Sequence, residues 1–139
     1  METQLAPPVG FCRHFRQSPL TDPWEPLYSR KEGGVVSIGF HAAAPHANSR
    51  GFVHGGMISA LADNAMGLSC GQGLEGGASL VTVSLAVDFL GSALLGEWVE
   101  VTPKLNRLGT TLCFAEAEVT AGGKPCAKAH ATFRVVRKA

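Results

Sequence analysis

Asn48-Ser-Arg-Gly51-Phe-Val-His54-Gly55-Gly56-Met57-Ile58-Ser-Ala-Leu61-Ala62-Asp63-Asn64-Ala65-Met66-Gly67 runs an irregular polar segment through a His-Gly-Gly step into an amphipathic run. Met57, Ile58, Leu61, Ala62, Ala65, Met66 and Ser69 recur at the spacing of one helical face, which predicts a helix from Gly55 to about Cys70. Parts of the stretch work against folding. Two adjacent glycines cost backbone entropy, and Asp63 places a carboxylate among apolar neighbours. Local rules broken in a cluster mark a candidate site.

Outward from this helix the pattern changes to a period of two. Val81, Val83, Leu85, Val87 and Phe89 alternate with Thr82, Ser84, Ala86 and Asp88. Residues 97–107 and 111–120 alternate in the same way, and Gly122-Gly123 predicts a tight hairpin into a strand over 124–136. Ala127, Ala129, Ala131 and Phe133 form the inward face of that last strand. On the other side of the helix, residues 27–30 and 35–42 read as strands turned by Lys31-Glu32-Gly33-Gly34, and 43–53 as a loop. The first 25 residues hold four of the eight prolines, so little regular structure is expected there beyond a short helix over 11–16.

This order describes an α+β fold in one domain, residues 1–139, with a long helix on one face of a five- to six-stranded antiparallel sheet. One helix leaves part of the apolar sheet uncovered, which predicts self-association. If the Val81–Phe89 face packs on the helix, Thr82 points away from Asp63. Either that face is buried between subunits or a bulge resets the register.

The net charge is +1 with no basic block, so neither nucleic acid nor a membrane surface is an expected partner. No leader-like N-terminus and no bilayer-spanning run is read, and the expected location is cytoplasmic. Cys12, Cys70, Cys113 and Cys126 lack metal or disulfide spacing and read as small core residues. Neither a His-x-x-x-His metal pair nor a serine nucleophile elbow is expected.

The helix start has no Ser, Thr, Asp or Asn before it, so its first amides are expected to lack a side-chain cap. Bare amides at a helix N-terminus favour negative charge developing on a carbonyl oxygen, and Gly55 and Gly56 leave them open to approach. Asn48 and His54 can hydrogen-bond a reacting carbonyl or water, although a lone histidine before a helix more often caps or packs. Asp63 can act as nucleophile or as general base. It lies eight residues beyond Gly55, about 12 Å along a helix, so a shared site needs two subunits.

At these residues the chain resembles the hotdog-fold acyl-CoA thioesterases of the phenylacetate-degradation (PaaI-like) branch. The shared pattern is Asn-x-x-Gly-x-x-His-Gly-Gly-x-x-x-x-Leu-x-Asp, met by Asn48, Gly51, His54, Gly55, Gly56, Leu61 and Asp63. Segments 10–16, 94–97 and 129–133 are similar to further family segments. The resemblance implies a hotdog fold, homodimers with sites at the interface, and pairing of dimers into a homotetramer. It implies hydrolysis of an aromatic or medium-chain acyl-CoA to free acid and coenzyme A, without metal or other cofactor. In that scheme the Gly55 amide polarises the thioester carbonyl, with His54, Asn48 and Gly56 nearby. Asp63 of the partner subunit acts on water or the thioester, and Thr82 falls where relatives place a Ser or Thr beside the carboxylate. Arg107, Arg134 and Arg137 are candidates for the coenzyme A phosphates. A non-catalytic acyl-CoA or acyl-carrier binding module on the same fold is the competing class.

Overall fold

Two neighbouring strands with small inward residues set the centre of the molecule. In the structure, a computed structural model that describes residues 5–76 and 78–137, Ala115 and Ala117 lie opposite Ala131 and Ala129, and all four are buried. Side chains this small let a helix approach the sheet closely. The helix α1 (Gly55–Gly73) takes that place and buries Met57, Ile58, Leu61, Ala62, Ala65, Met66, Ser69 and Cys70. It runs three residues beyond the predicted end.

Seven antiparallel strands form one sheet: β1 (Cys12–Arg13), β2 (Tyr28–Glu32), β3 (Val35–His41), β4 (Ser79–Phe89), β5 (Trp98–Leu108), β6 (Leu112–Ala121) and β7 (Lys124–Val136). Their spatial order is β1-β2-β3-β5-β6-β7-β4. The predicted α+β layout holds, with one strand more than expected. That strand replaces the helix expected over 11–16: Cys12 and Arg13 pair with Ser29 and Tyr28, while Phe11 packs edge-on against Trp98 at 5.1 Å. Cys12 is exposed rather than a core residue, whereas the other three cysteines are buried. Burial pushes the Cys70 thiol up to about 12, with Cys113 adding to the effect, so it stays protonated as an apolar filler. Residues 1–4 and 138–139, at the ends of the domain expected over 1–139, and Gly77 lie outside the described residues.

The sheet is not paired along its whole length. β3 pairs with β5 only from Ile38 to His41. Where the two strands part, the Val36 amide donates to the Ser69 hydroxyl of α1 at 2.9 Å, so the helix supplies the missing partner. On the outer face the Trp98 ring lies over Gly39, where a Cβ would fall inside the indole. Trp98 is also held edge-on by His41 at 4.8 Å.

β4 forms one edge of the sheet and contains the register change that the alternation pattern left open. Thr82 pairs with Phe133 and Ser84 with Thr132, so Val83 has no opposite residue and the strand bulges. Before the bulge, Leu80 and Thr82 share the helix-side face with Val135 and Phe133. After it, Leu85, Val87 and Phe89 do so opposite Ala131, Ala129 and Ala127. The single apolar face read from Val81 to Phe89 is therefore two half-faces, and Val81 points the other way. Val81, Val83 and Phe89 remain more than half exposed along this edge.

Two histidines are buried near the N-terminal segment, and His46 ties that segment to the body. The His46 Nδ1 accepts from the Ala43 amide at 3.0 Å, and its Nε2 donates to the Trp24 carbonyl at 2.9 Å. Both ring nitrogens are thus used in the neutral form. Burial lowers its pKa below 6.5, against the pull of the Trp24 carbonyl. Burial also lowers that of His14, against Glu25, and its Nδ1 has no hydrogen-bond partner.

Both lowered values make the unfolded chain the better proton acceptor below pH 6.5. The contribution of the two histidines to stability is complete above that pH and is lost as the pH falls through the lowered values. Thermal melting between pH 7 and pH 5 should therefore show Tm falling by a few degrees on acidification. His46→Asn, which keeps an acceptor near the Nδ1 position, should remove part of that fall. A flat Tm over this range would refute the account. Separately, Gly39→Ala should destabilise by about 2 kcal/mol or more through the Trp98 clash, with recovery in the Trp98→Leu background.

Candidate active site

Asp63 reaches the site through the bulge. Its helix position leaves the carboxylate half-buried, and Oδ1 accepts a 2.7 Å hydrogen bond from the Thr82 hydroxyl. Without the extra residue at Val83, Thr82 could not share a face with both Leu80 and Phe133 while Leu85 and Phe89 keep theirs. The bond occupies one carboxylate oxygen and leaves Oδ2 to accept from water or to attack a carbonyl carbon. Both residues line a cavity of about 580 Å³. Its other walls include Val36, Leu68, Leu80 and Phe133, with Asn64, Gln72, Arg16 and Lys31 as polar members.

At the helix start the capping alternative for His54 is the one the structure shows. His54 is the N-cap: its Nδ1 accepts from the Gly56 amide at 2.8 Å. A histidine nitrogen thus does the work that Ser, Thr, Asp or Asn ordinarily does. Accepting at Nδ1 places the neutral ring's proton on Nε2, on an exposed side chain. Met57 and Ile58 both donate to the His54 carbonyl, at 3.1 and 3.2 Å. Among the described hydrogen bonds none is donated by the Gly55 amide. One bare amide therefore remains at the start of α1, where two or more were expected.

The glycines have steric reasons as well. A Cβ on Gly55 would meet the Phe89 ring at 3.1 Å, and one on Gly56 would meet the His54 ring at 3.0 Å. Asn48 orders the approach to the helix. Its Oδ1 accepts from the Arg50 and Phe52 amides at 2.9 and 3.1 Å, which leaves only its amide nitrogen as a donor for anything else.

Within one chain the two ends of the stretch do not meet in one cavity. His54 and Gly56 line a separate hollow of about 440 Å³ with Trp24, His46 and Met57, whereas Asp63 and Thr82 line the first. This agrees with the helical rise of about 12 Å between Gly55 and Asp63.

Arg107, Arg134 and Arg137 line neither cavity. Arg107 follows a register shift near the end of β5, Arg134 is exposed on β7, and Arg137 donates to the Glu75 carbonyl at 3.1 Å. Nothing in the sequence points to Phe15, Arg16 and Lys31, because no local pattern links an N-terminal segment to a helix nearly fifty residues on. Asn64 reads in the sequence only as the neighbour of Asp63, although it lines the same cavity.

Gly67-Leu68-Ser69-Cys70-Gly71 spells the Gly-x-Ser-x-Gly pattern of serine hydrolases. It lies inside α1, where a nucleophile elbow needs a strained strand-to-helix turn. Ser69 is fully buried and its hydroxyl donates to the Ala65 carbonyl at 2.6 Å. It is structural. No three His, Cys, Asp or Glu side chains gather as metal ligands among the described residues, and no described helix is long and apolar enough to cross a membrane.

The family model of the thioesterase superfamily matches residues 50–127, which include α1, β4, β5 and β6. A Pseudomonas aeruginosa protein provisionally named an esterase is 34% identical over 129 residues, covering 92% of this chain and 96% of its own. Human acyl-coenzyme A thioesterase 13 is 35% identical over 103 residues, 71% of each chain. A Streptococcus mutans protein solved with acetyl CoA bound superposes with a TM-score of 0.69 at 29% identity, over 77% of this chain and 85% of that one. With the helix, the wrapped sheet and the Asp63 cavity in place, these matches settle the family: the chain belongs to the thioesterase superfamily and has its hotdog fold.

Proposed function

We propose that this chain hydrolyses acyl-CoA thioesters, with Asp63 as the group that acts on water or on the thioester carbon. The observation that carries the reading is the 2.7 Å bond from Thr82 to Asp63 Oδ1 inside a cavity large enough for an acyl group. The names of the human relative and of the acetyl CoA complex support coenzyme A thioesters as the substrate class.

In the general-base course, Asp63 Oδ2 takes a proton from water as the water oxygen adds to the carbonyl carbon. The negative charge that develops on the carbonyl oxygen is met by the Gly55 amide and the His54 Nε2–H of the other subunit. Collapse breaks the C–S bond, and the thiolate of coenzyme A leaves with the proton held by Asp63. In the nucleophilic course Oδ2 attacks instead and expels the coenzyme A thiolate as the C–S bond breaks, and water then cleaves the resulting anhydride to the free acid and the Asp63 carboxylate. Neither course involves a metal or redox cofactor. The resemblance to the family makes the acyl group of this proposal aromatic or medium-chain.

The functional unit in this reading is a homodimer, because His54 and the carboxylate of one chain line different cavities and Gly55 lies about 12 Å along the helix from Asp63. The exposed apolar edge of β4 is the natural place for the second chain. Pairing of such dimers gives the proposed homotetramer. Asn48 then acts through the loop it orders, and no role in phosphate binding is assigned to Arg107, Arg134 or Arg137.

Asp63→Asn should lower kcat by about 10²–10⁴ in a thiol-release assay with a panel of acyl-CoAs, while circular dichroism and oligomeric state stay unchanged. Near-normal turnover by this variant would sink the mechanism. Thr82→Val should cost about tenfold or more, as for a hydrogen bond to a charged group. Binding of acyl-CoA without turnover of any panel member would favour the binding module instead. For the dimer, Asp63→Ala is mixed with Gly55→Pro, the latter carried on Phe89→Ala to make room for its ring. Each is inactive alone, and random mixing should restore about a quarter of the wild-type rate, since half the dimers then hold one intact site of two. No recovery with subunit exchange demonstrated would mean that one chain holds a whole site.

A further inference from the structure

We propose that Arg16 and Lys31 make the Asp63 cavity selective for acyl groups carrying a carboxylate at the end remote from the thioester. The inference rests on the thioesterase reading above and names the substrate class within it. Three observations carry it.

Firstly, the charges of the cavity are divided. Its one acid, Asp63, is bonded to Thr82 on β4, whereas Lys31 belongs to β2, toward the opposite end of the sheet order. The sheet wraps α1 far enough for both strands to line one cavity, with Arg16 beside them from the N-terminal segment. Apolar walls from Val36, Leu68, Leu80 and Phe133 complete it.

Secondly, the two cations have no acidic partner among the described residues. The ion pairs there are Arg13–Glu25, Arg30–Glu32, Arg30–Glu100 and Lys104–Glu116. The period of two on β2 puts Arg30 and Glu32 on one side and Lys31 on the other, so the adjacent acid, Glu32, is engaged away from the cavity.

Thirdly, the Lys31 ammonium is held 4.3 Å from the centre of the Phe15 ring, beside Arg16. That contact fixes its position instead of leaving it to sweep through solvent. A distal carboxylate would be drawn to this pair and repelled by Asp63, which orients the thioester toward the reacting end. A plain acyl chain gains neither effect.

The test compares hexanoyl-CoA with its ω-carboxylated counterpart, adipoyl-CoA. Wild-type protein should favour the carboxylated substrate by about tenfold in kcat/KM, mainly through KM. The Arg16→Gln/Lys31→Gln protein should lose that preference, its kcat/KM falling several-fold more on adipoyl-CoA than on hexanoyl-CoA. Preference of the wild type for hexanoyl-CoA would overturn the proposal. So would an equal loss on both substrates, which would put the coenzyme A phosphates at the cations. Equilibrium binding of the same two thioesters to Asp63→Asn, with and without the two glutamines, reads the preference independently of turnover. If neither thioester is hydrolysed, the catalytic reading fails while this binding ratio still decides between the outcomes.

Discussion

Helix α1 packs on β3 and β5 through Val36, Ile38, Phe40, Val99 and Val101, and on β6 and β7 where alanines face it, and this contact governs the other distances in the molecule. Larger residues at Ala115, Ala117, Ala129 or Ala131 would push the helix off the sheet. With the helix held close, β3 on one side and β4 on the other can both reach it. β3 does so through the Val36–Ser69 bond and β4 through the Thr82–Asp63 bond. One helix thus replaces strand pairing on one side and carries the candidate carboxylate on the other. Ser69 and Asp63 are six residues apart, so they face different directions from the same cylinder.

The bulge at Val83 resolves a conflict between packing and chemistry. An unbroken strand from Leu80 to Phe89 could offer the helix either the leucine and threonine at its start or the apolar set at its end. The extra residue lets it offer both. Thr82 and Phe89 then serve the middle and the start of the helix: one orients Asp63, and the other packs over Gly55. A local defect in pairing is in this sense the element that connects the sheet to the site.

The parts legible in the sequence are those governed by periodicity. The helix start at Gly55, the alternating strands and the Gly122-Gly123 hairpin all follow local spacing, and the His-Gly-Gly-to-Asp63 pattern carries the family. What escapes depends on contacts distant in sequence. The two-residue strand at Cys12 exists because it meets Ser29, and no period can be read from two residues. The bulge is legible only as one of two alternatives, since alternation alone cannot show an unpaired residue. The His54 cap is legible only as one alternative, because a histidine before a helix can either cap it or serve chemistry, and its ring nitrogen can accept as a carboxylate does. The cations of the cavity escape for the same reason as β1.

The His54 cap also narrows the proposed chemistry. By taking the Gly56 amide, His54 leaves Gly55 as the unbonded amide at the start of α1 and turns its own Nε2–H outward. Two donors remain at the helix start, one from backbone and one from side chain. They differ in kind from a pair of bare amides, because the imidazole is oriented only through the bond that it makes to Gly56. Gly56 is then needed less for access than for holding the ring, since a Cβ there would press on it at 3.0 Å. The two glycines therefore have separate tasks. Gly55 makes room for Phe89 and presents an amide, while Gly56 fixes the tautomer and direction of His54. On this account the sensitivity of the helix start to substitution comes from the geometry of one imidazole as much as from the helix dipole.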